Sequence, residues 1–241
     1  MANQLLVRER RLSLQLDEVT LEGQLAIPEG SRSLAIFAHG SGSSRHSPRN
    51  RSVARRLNEA HLATLLFDLL TEGEQARDQA SGELRFDIPF LAQRLSAAVD
   101  FVTEQPETHE MMLGLFGAST GAAAALMTAA RHPSQIAAVV SRGGRPDLAW
   151  QSLPQVKAPT LLIVGEMDRA VIELNRRAFA QLQSEKRFEI VSGASHLFEE
   201  PGTLDAVADL AAQWFARHMK SNQAALSRSK PGDSAKNVQI T

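Results

Sequence analysis

One pentapeptide constrains this chain more than any other segment: Gly117-Ala118-Ser119-Thr120-Gly121, set between the apolar run Met111–Phe116 and the alanine-rich run Ala122–Ala130. The first run reads as a buried strand and the second as a helix, so Ser119 sits on a sharp strand-to-helix turn. Glycines on both sides let backbone and helix approach closely. The serine hydroxyl is then held out at the end of a sheet, beside N–H groups that the start of a helix leaves unpaired.

The flanking segments repeat the same order. Strands near Arg11–Leu16 and Leu21–Ile27 read as an antiparallel lead-in. They precede strand Ser33–Ala38, a helix near Arg49–Ala60, strand Ala63–Phe67 and a polar loop from Thr71 to Asp87. Helix Pro89–Glu104 follows, with Pro89 in its first turn. Beyond the Ser119 turn come strand Ile136–Ser141, a short helix near Asp147–Gln151 and strand Thr160–Val164. A helix near Ala170–Gln183, strand Arg187–Val191 and an amphipathic helix Thr203–Met219 complete the series. Such alternation predicts an α/β fold: a mainly parallel, twisted sheet of about eight strands, covered by helices on both faces. Residues 1–220 form the predicted domain. The 221–241 segment, rich in Ser, Lys, Asn and Gln, reads as a disordered tail.

A serine of ordinary pKa is a weak nucleophile and needs a base, usually histidine, oriented by a carboxylate. After a G-x-S-x-G turn the acid and then the histidine follow in chain order. Downstream of Ser119 the histidines are His132, His196 and His218. His132 ends the helix that follows the serine, and His218 ends the last helix, where it reads as a helix-end cation. His196 follows strand Arg187–Val191 through a short loop, and is the predicted base. The acid should close the preceding strand, where Gly165-Glu166-Met167-Asp168 offers two carboxylates; Asp168 is the first candidate and Glu166 the second. Ser195 reads as loop chemistry, and Trp150 and Trp214 as packing.

From about Arg11 to Met219 the chain resembles the α/β-hydrolase superfamily and, within it, the dienelactone hydrolase family. The resemblance rests on His39-Gly40-Ser41-Gly42-Ser43-Ser44, Phe67-Asp68-Leu69-Leu70-Thr71, Arg85-Phe86-Asp87-Ile88-Pro89, the Ser119 turn, Ser141-Arg142-Gly143-Gly144-Arg145-Pro146-Asp147 and Ser195-His196. It implies the α/β-hydrolase fold, and an oxyanion hole made by the backbone N–H groups of Ser41 and Thr120. It also implies a serine hydrolase acting on a small ester, thioester or lactone with no cofactor and no metal. The chain departs from the namesake enzymes in one respect, since they use a cysteine nucleophile and this chain contains no cysteine. His39 reads as a structural hydrogen-bonding residue. About 18 residues separate Ser141 from Thr160, which leaves no room for a large cap domain, so the pocket should be open unless Thr71–Asp87 folds over it. Arg142 and Arg145 follow the strand beside the turn and are candidates for holding a substrate carboxylate or phosphate. Acyl transfer on the same triad, and a non-catalytic binding protein on this fold, are the alternatives.

Composition narrows the rest. With 241 residues and 43% hydrophobic content, the chain can bury a sizeable core as one domain. A formal net charge of -1 argues against a general nucleic-acid binder. Zero cysteines remove disulfides, thiolate metal sites and thiol catalysis together. No run approaches the roughly 20 apolar residues of a membrane span, and Met1–Arg11 lacks the apolar core of a signal peptide. The expectation is a cytoplasmic monomer or homodimer, with a small-molecule substrate as its partner.

Overall fold

Strands β1 (Val7–Leu16) and β2 (Val19–Pro28) open the chain as an antiparallel pair. They are followed by β3 (Ser33–Ala38), α1 (Pro48–Glu59), β4 (Ala63–Phe67), α2 (Glu72–Ser81), α3 (Ile88–Glu104), β5 (Met112–Ala118) and α4 (Thr120–Arg131). Next come β6 (Ile136–Arg142), β7 (Thr160–Gly165), α5 (Arg169–Gln181), β8 (Lys186–Val191) and α6 (Thr203–His218). Tight 3-10 turns cover Leu84–Phe86 and Pro146–Gln155. This is a computed structural model describing residues 6–16 and 18–220. The segment 221–241, read above as a tail, lies outside the described residues.

All eight strands form one sheet in the order β1-β2-β4-β3-β5-β6-β7-β8. β2 pairs antiparallel with β1 and β4, and every later pairing is parallel. From β3 the chain first steps to β4 on one side, then returns to place β5 on the other. The reversal opens a crevice beyond the carboxyl ends of β3 and β5, the place where sheets of this kind bind ligands. There Ala38 pairs with Gly117, so the loop after β3 and the Ser119 turn lie side by side.

The core explains why the sheet is covered twice. β3, β4 and β7 are buried along their whole length, as expected of parallel strands under helices on both faces. Successive strand residues face opposite sides. Ile36, Leu115 and Leu162 therefore pack with Leu91, Leu95 and Val99 of α3 and the alanines of α4. Their neighbours Phe37, Phe116 and Ile163 pack with Val53 and Leu57 of α1 and with Val207, Ala211 and Phe215 of α6. Ser47 caps α1 and Asp87 caps α3, each accepting a hydrogen bond from the backbone N–H three residues on.

Two expectations need correction. Thr71–Asp87, read as a polar loop, holds helix α2 and a 3-10 turn. A capping box between Thr71 and Glu74 starts α2, and Gly82 at φ 71° ends it. His218 is no helix-end cation: its side chain is 9% exposed and packs on Trp214 with ring centroids 4.3 Å apart, and burial lowers its pKa. Trp214 is core, as read, whereas Trp150 is exposed with the Arg177 guanidinium 5.8 Å from its ring centroid. Between β6 and β7 there is only the Pro146–Gln155 turn, so no large cap domain is inserted there.

Candidate active site

Ser119 stands on the turn from β5 into α4 at φ 51° and ψ −121°, a left-handed conformation that costs a non-glycine residue roughly 1–3 kcal/mol. Main-chain bonds hold it there. Ser119 N–H donates to Arg142 O at 3.1 Å, and Ser119 O accepts from Ala122 and Arg145 N–H, each at 3.1 Å. A Cβ on Gly117 would collide with the backbone of α4, and one on Gly121 with the carbonyls of Ala38 and His39. Without side chains at these two positions, α4 drives its N-terminus against the ends of β3 and β5.

His196 and Asp168 come together as read. His196 Nδ1 donates to Asp168 Oδ2 at 2.6 Å, with the carboxylate 14% exposed and the imidazole 38%. Asp168 is the N-cap residue of α5 but makes no side-chain cap bond, because its carboxylate is turned to the histidine. The second candidate, Glu166, faces elsewhere: it accepts from Ser192 Oγ and Gly193 N–H, both at 2.8 Å, and these bonds hold its pKa below the usual carboxylate value. Glu200, a residue the sequence did not single out, accepts from Ser195 N–H at 3.0 Å. These two carboxylates tie down both ends of the histidine loop, which is the role Ser195 plays through its backbone. The imidazole lies along the strand end that holds the serine: a methyl on Gly143, one residue past Arg142, would sit 3.6 Å from His196 Cε1. The His196 side chain carries a single hydrogen bond among the described residues, which leaves Nε2 unpaired.

The loop after β3 lies against the serine, since a Cβ on Gly40 would be 3.1 Å from Ser119 Cβ. His39 is structural, as read. Its Nδ1–H donates to Gly40 O at 3.0 Å and its Nε2 accepts from Leu69 N–H at 3.1 Å, which fixes one neutral tautomer. Burial lowers its pKa. Of the two oxyanion candidates, Thr120 N–H occupies the first helical position, where no intrahelical acceptor exists. Ser41 N–H, in contrast, is already engaged, donating to Thr120 Oγ1 at 2.9 Å. Beside this loop is a cavity of about 210 Å³ lined by Gly40, Ser41, Leu70, Gln75, Gln79 and Arg85, with α2 as its roof. A larger groove of about 470 Å³ lies beside α1; Ser119, Asp168 and His196 line neither of the two, and the smaller one adjoins the site through Gly40 and Ser41.

The two arginine candidates are placed differently from each other. Arg145 forms a two-pronged pair with Asp147 at 2.9 and 2.8 Å. Arg142 is 7% exposed; Nη2 donates to Asn50 Oδ1 at 3.2 Å, and Nη1 is buried without a partner. Burial, and then the nearby charge of Arg49, push its pKa down to about 10. Among the described residues, no group of acidic residues and histidines has the spacing of a metal site. No helix among them is long and apolar enough to cross a membrane.

Residues 22–225 match the model of the dienelactone hydrolase family. The chain belongs to the dienelactone hydrolase family. Within it, the chain superposes on the crystal structure of a dienelactone hydrolase from Anabaena variabilis with a TM-score of 0.88 at 55% identity, covering 89% of this chain and 99% of that one. A Mycobacterium tuberculosis protein, provisionally named a phosphoribosyl transferase, is 52% identical over 213 residues, 88% of this chain. The chain spans about half the length of that relative, 47%. A Nocardia uniformis subsp. tsuyamanensis protein, provisionally named an esterase, is 32% identical over 152 residues, 61% of this chain and 42% of that protein. Family membership and fold together make the protein hydrolase-like.

Proposed function

We propose that the protein is a serine hydrolase that cleaves a small carboxylic ester, thioester or lactone through an acyl-enzyme. The observation that carries this reading is the 2.6 Å bond from His196 Nδ1 to Asp168 Oδ2 behind a serine held at φ 51°. Ser119 Oγ attacks the carbonyl carbon while its proton passes to His196 Nε2, and the carbonyl electron pair moves onto oxygen. The leaving alkoxide, thiolate or ring oxygen collects that proton as its bond to carbon breaks. Water, deprotonated by His196, then attacks the acyl carbon and releases Ser119. Asp168 keeps the imidazole in the tautomer with a proton on Nδ1 and supports its positive charge.

Pocket and rim bear on the substrate class. A cavity of about 210 Å³ is below the roughly 300–1,000 Å³ of pockets that take drug-sized ligands, which favours an acyl or alcohol part of a few heavy atoms. Of the cations flanking the site, Arg145 is paired with Asp147 and Arg85 with Asp78, Arg142 is buried, and Arg169, next to Asp168, is exposed. Leu148, Met167 and Leu197 are exposed on the loops after β6, β7 and β8. The pairing of Arg145 and the burial of Arg142, beside exposed apolar groups, favour a neutral substrate over the anionic one that these two arginines suggested. The Anabaena relative and the Nocardia relative carry names that agree with ester hydrolysis. The transferase name belongs to a protein more than half of which lies outside the match.

The test is a panel of acetyl, butyryl and succinyl esters and thioesters and a small lactone, with product acids quantified, alone and with hydroxylamine present. Free acid released fastest from the neutral short-chain substrates supports the reading. Acyl hydroxamate formed at the expense of acid would reassign the protein as an acyltransferase. No turnover of any member by folded protein would overturn hydrolysis.

A further inference from the structure

We propose that the side-chain hydroxyl of Thr120, and not the Ser41 N–H, is the second donor of the oxyanion hole. This inference rests on the serine-hydrolase reading and adds a catalytic group to it. The residue after the nucleophile then contributes both donors, one from its backbone and one from its side chain.

The geometry is specific. Ser41 N–H, which by its place after the His39-Gly40 pair should face the substrate oxygen, ends on Thr120 Oγ1 at 2.9 Å. A bond of that length uses the N–H fully and places the threonine oxygen where the substrate oxygen would otherwise be. A threonine hydroxyl offers one proton and two lone pairs. Here Oγ1 accepts from Ser41, and among the described residues it donates to nothing. The residue is 3% exposed, so its proton is not spent on bulk water either. The result is a buried hydroxyl adjoining the nucleophile with its acceptor side occupied and its donor side open. Acceptance from Ser41 polarises the O–H and strengthens what it can donate.

The backbone fixes the rest. Gly121 packs against the carbonyls of Ala38 and His39, which sets the first turn of α4 directly beside the end of β3. Ser119 itself is pinned by Arg142 O and by the N–H groups of Ala122 and Arg145. Thr120 is therefore held between the nucleophile and the Ser41 loop, and Ser41 acts one bond further out by orienting and polarising the hydroxyl. As Ser119 Oγ bonds to the carbonyl carbon and the π pair moves to oxygen, that oxygen accepts from Thr120 N–H and from Thr120 Oγ1–H. Both protons stay on their donors. When the tetrahedral intermediate collapses, the electron pair returns and the two hydrogen bonds weaken.

Three variants test this on the ester that wild-type protein turns over fastest. Thr120→Val keeps the shape and removes the hydroxyl, Thr120→Ala removes the bulk as well, and Thr120→Ser restores the hydroxyl. Losing one oxyanion donor costs roughly 10²–10³ in kcat, so Thr120→Val and Thr120→Ala should each fall by about that factor with KM little changed. Thr120→Ser should stay within a few-fold of wild type. An alkyl boronic acid, whose adduct on Ser119 puts an oxygen in the hole, should lose affinity by a similar factor in Val and Ala but not in Ser. Matching circular dichroism spectra exclude misfolding as the cause. If Thr120→Ala is as active as wild type or faster, the hydroxyl is a plug, Ser41 N–H serves the oxyanion directly, and the proposal is wrong. If wild-type protein hydrolyses nothing in the panel, the serine-hydrolase reading fails instead, and this inference falls with it.

Discussion

At the Ser119 turn, the chain is held by main-chain bonds and by the absence of side chains: three backbone hydrogen bonds fix the serine, and two glycines let α4 close on the sheet. Across the cavity, Thr71–Asp87 is a short helix and a 3-10 turn joined to each other and to α3 by side chains. Thr71 and Glu74 cap each other's backbone at 3.2 and 2.8 Å, and Glu74 pairs with Arg94 at 2.8 Å. Asp78 accepts from Leu84 N–H, Arg85 N–H and Arg85 Nε at 2.8, 3.1 and 2.6 Å. The first region cannot shift without moving strands and helix together. The second can change a few side chains and leave the sheet intact, so the proposed function assigns chemistry to the first and substrate choice to the second.

The largest effect should come from the rigid region. Ser119→Ala should lower ester turnover by four or more orders of magnitude, as triad losses do elsewhere, with the melting temperature little changed because alanine keeps the Cβ and the strained φ. Near-normal turnover in that variant would break the comparison at its root. Next come the two acids after β7. Asp168→Asn should cost on the order of 10⁴ in kcat, because the imidazole loses both its tautomer and its counter-charge. Glu166→Gln should leave kcat near wild type, since that carboxylate serves only the histidine loop.

The roof should respond in stability and selectivity. Asp78→Asn exchanges three charge-assisted bonds for weaker ones at a side chain 4% exposed, so unfolding free energy should drop by about 2 kcal/mol. Its kcat should change far less than in either triad variant, while preference among acyl lengths shifts. A loss of turnover as deep as that of Asp168→Asn would show that the roof belongs to the catalytic machinery.

Sequence reading divides along the same line. The strand–turn–helix order, the glycines and the downstream acid and histidine are local patterns, and the eight strands, their mainly parallel pairing and the acid–base pair were legible from them. Helix α2 was missed because it lacks an apolar stripe: Asp78 is its one buried residue. Yet its start was written in Thr71-Glu72-Gly73-Glu74, a capping box read as loop polarity. Glu200, the Thr120 hydroxyl and the commitment of Arg145 to Asp147 depend on side-chain direction, which spacing does not report. His218 was misread for the same reason, since its burial on Trp214 is a tertiary fact.

The smallest predicted effect lies at the seam between the two regions. His39 joins Gly40 on the serine side to Leu69 on the roof side, and its folded pKa lies below the ordinary 6.5. Between those two values the unfolded chain binds a proton that the folded chain does not. Stability should therefore be full above pH 6.5 and fall as the pH drops towards the folded value, by at most about 1.4 kcal/mol per pH unit for one proton. In urea titrations from pH 8 to pH 5, His39→Gln should flatten this slope. A part should persist, because burial lowers the pKa of His218 too and gives the same sign. An unchanged slope would place the proton uptake elsewhere.

The central claim is that Ser119 is an activated nucleophile with His196 as its base. Labelling purified protein with a fluorophosphonate and mapping the adduct by peptide mass spectrometry tests it most directly, with His196→Ala as the control. The account predicts one adduct, on Ser119, lost in the control. Folded wild-type protein without an adduct on Ser119, or equal labelling when His196 is removed, would contradict it.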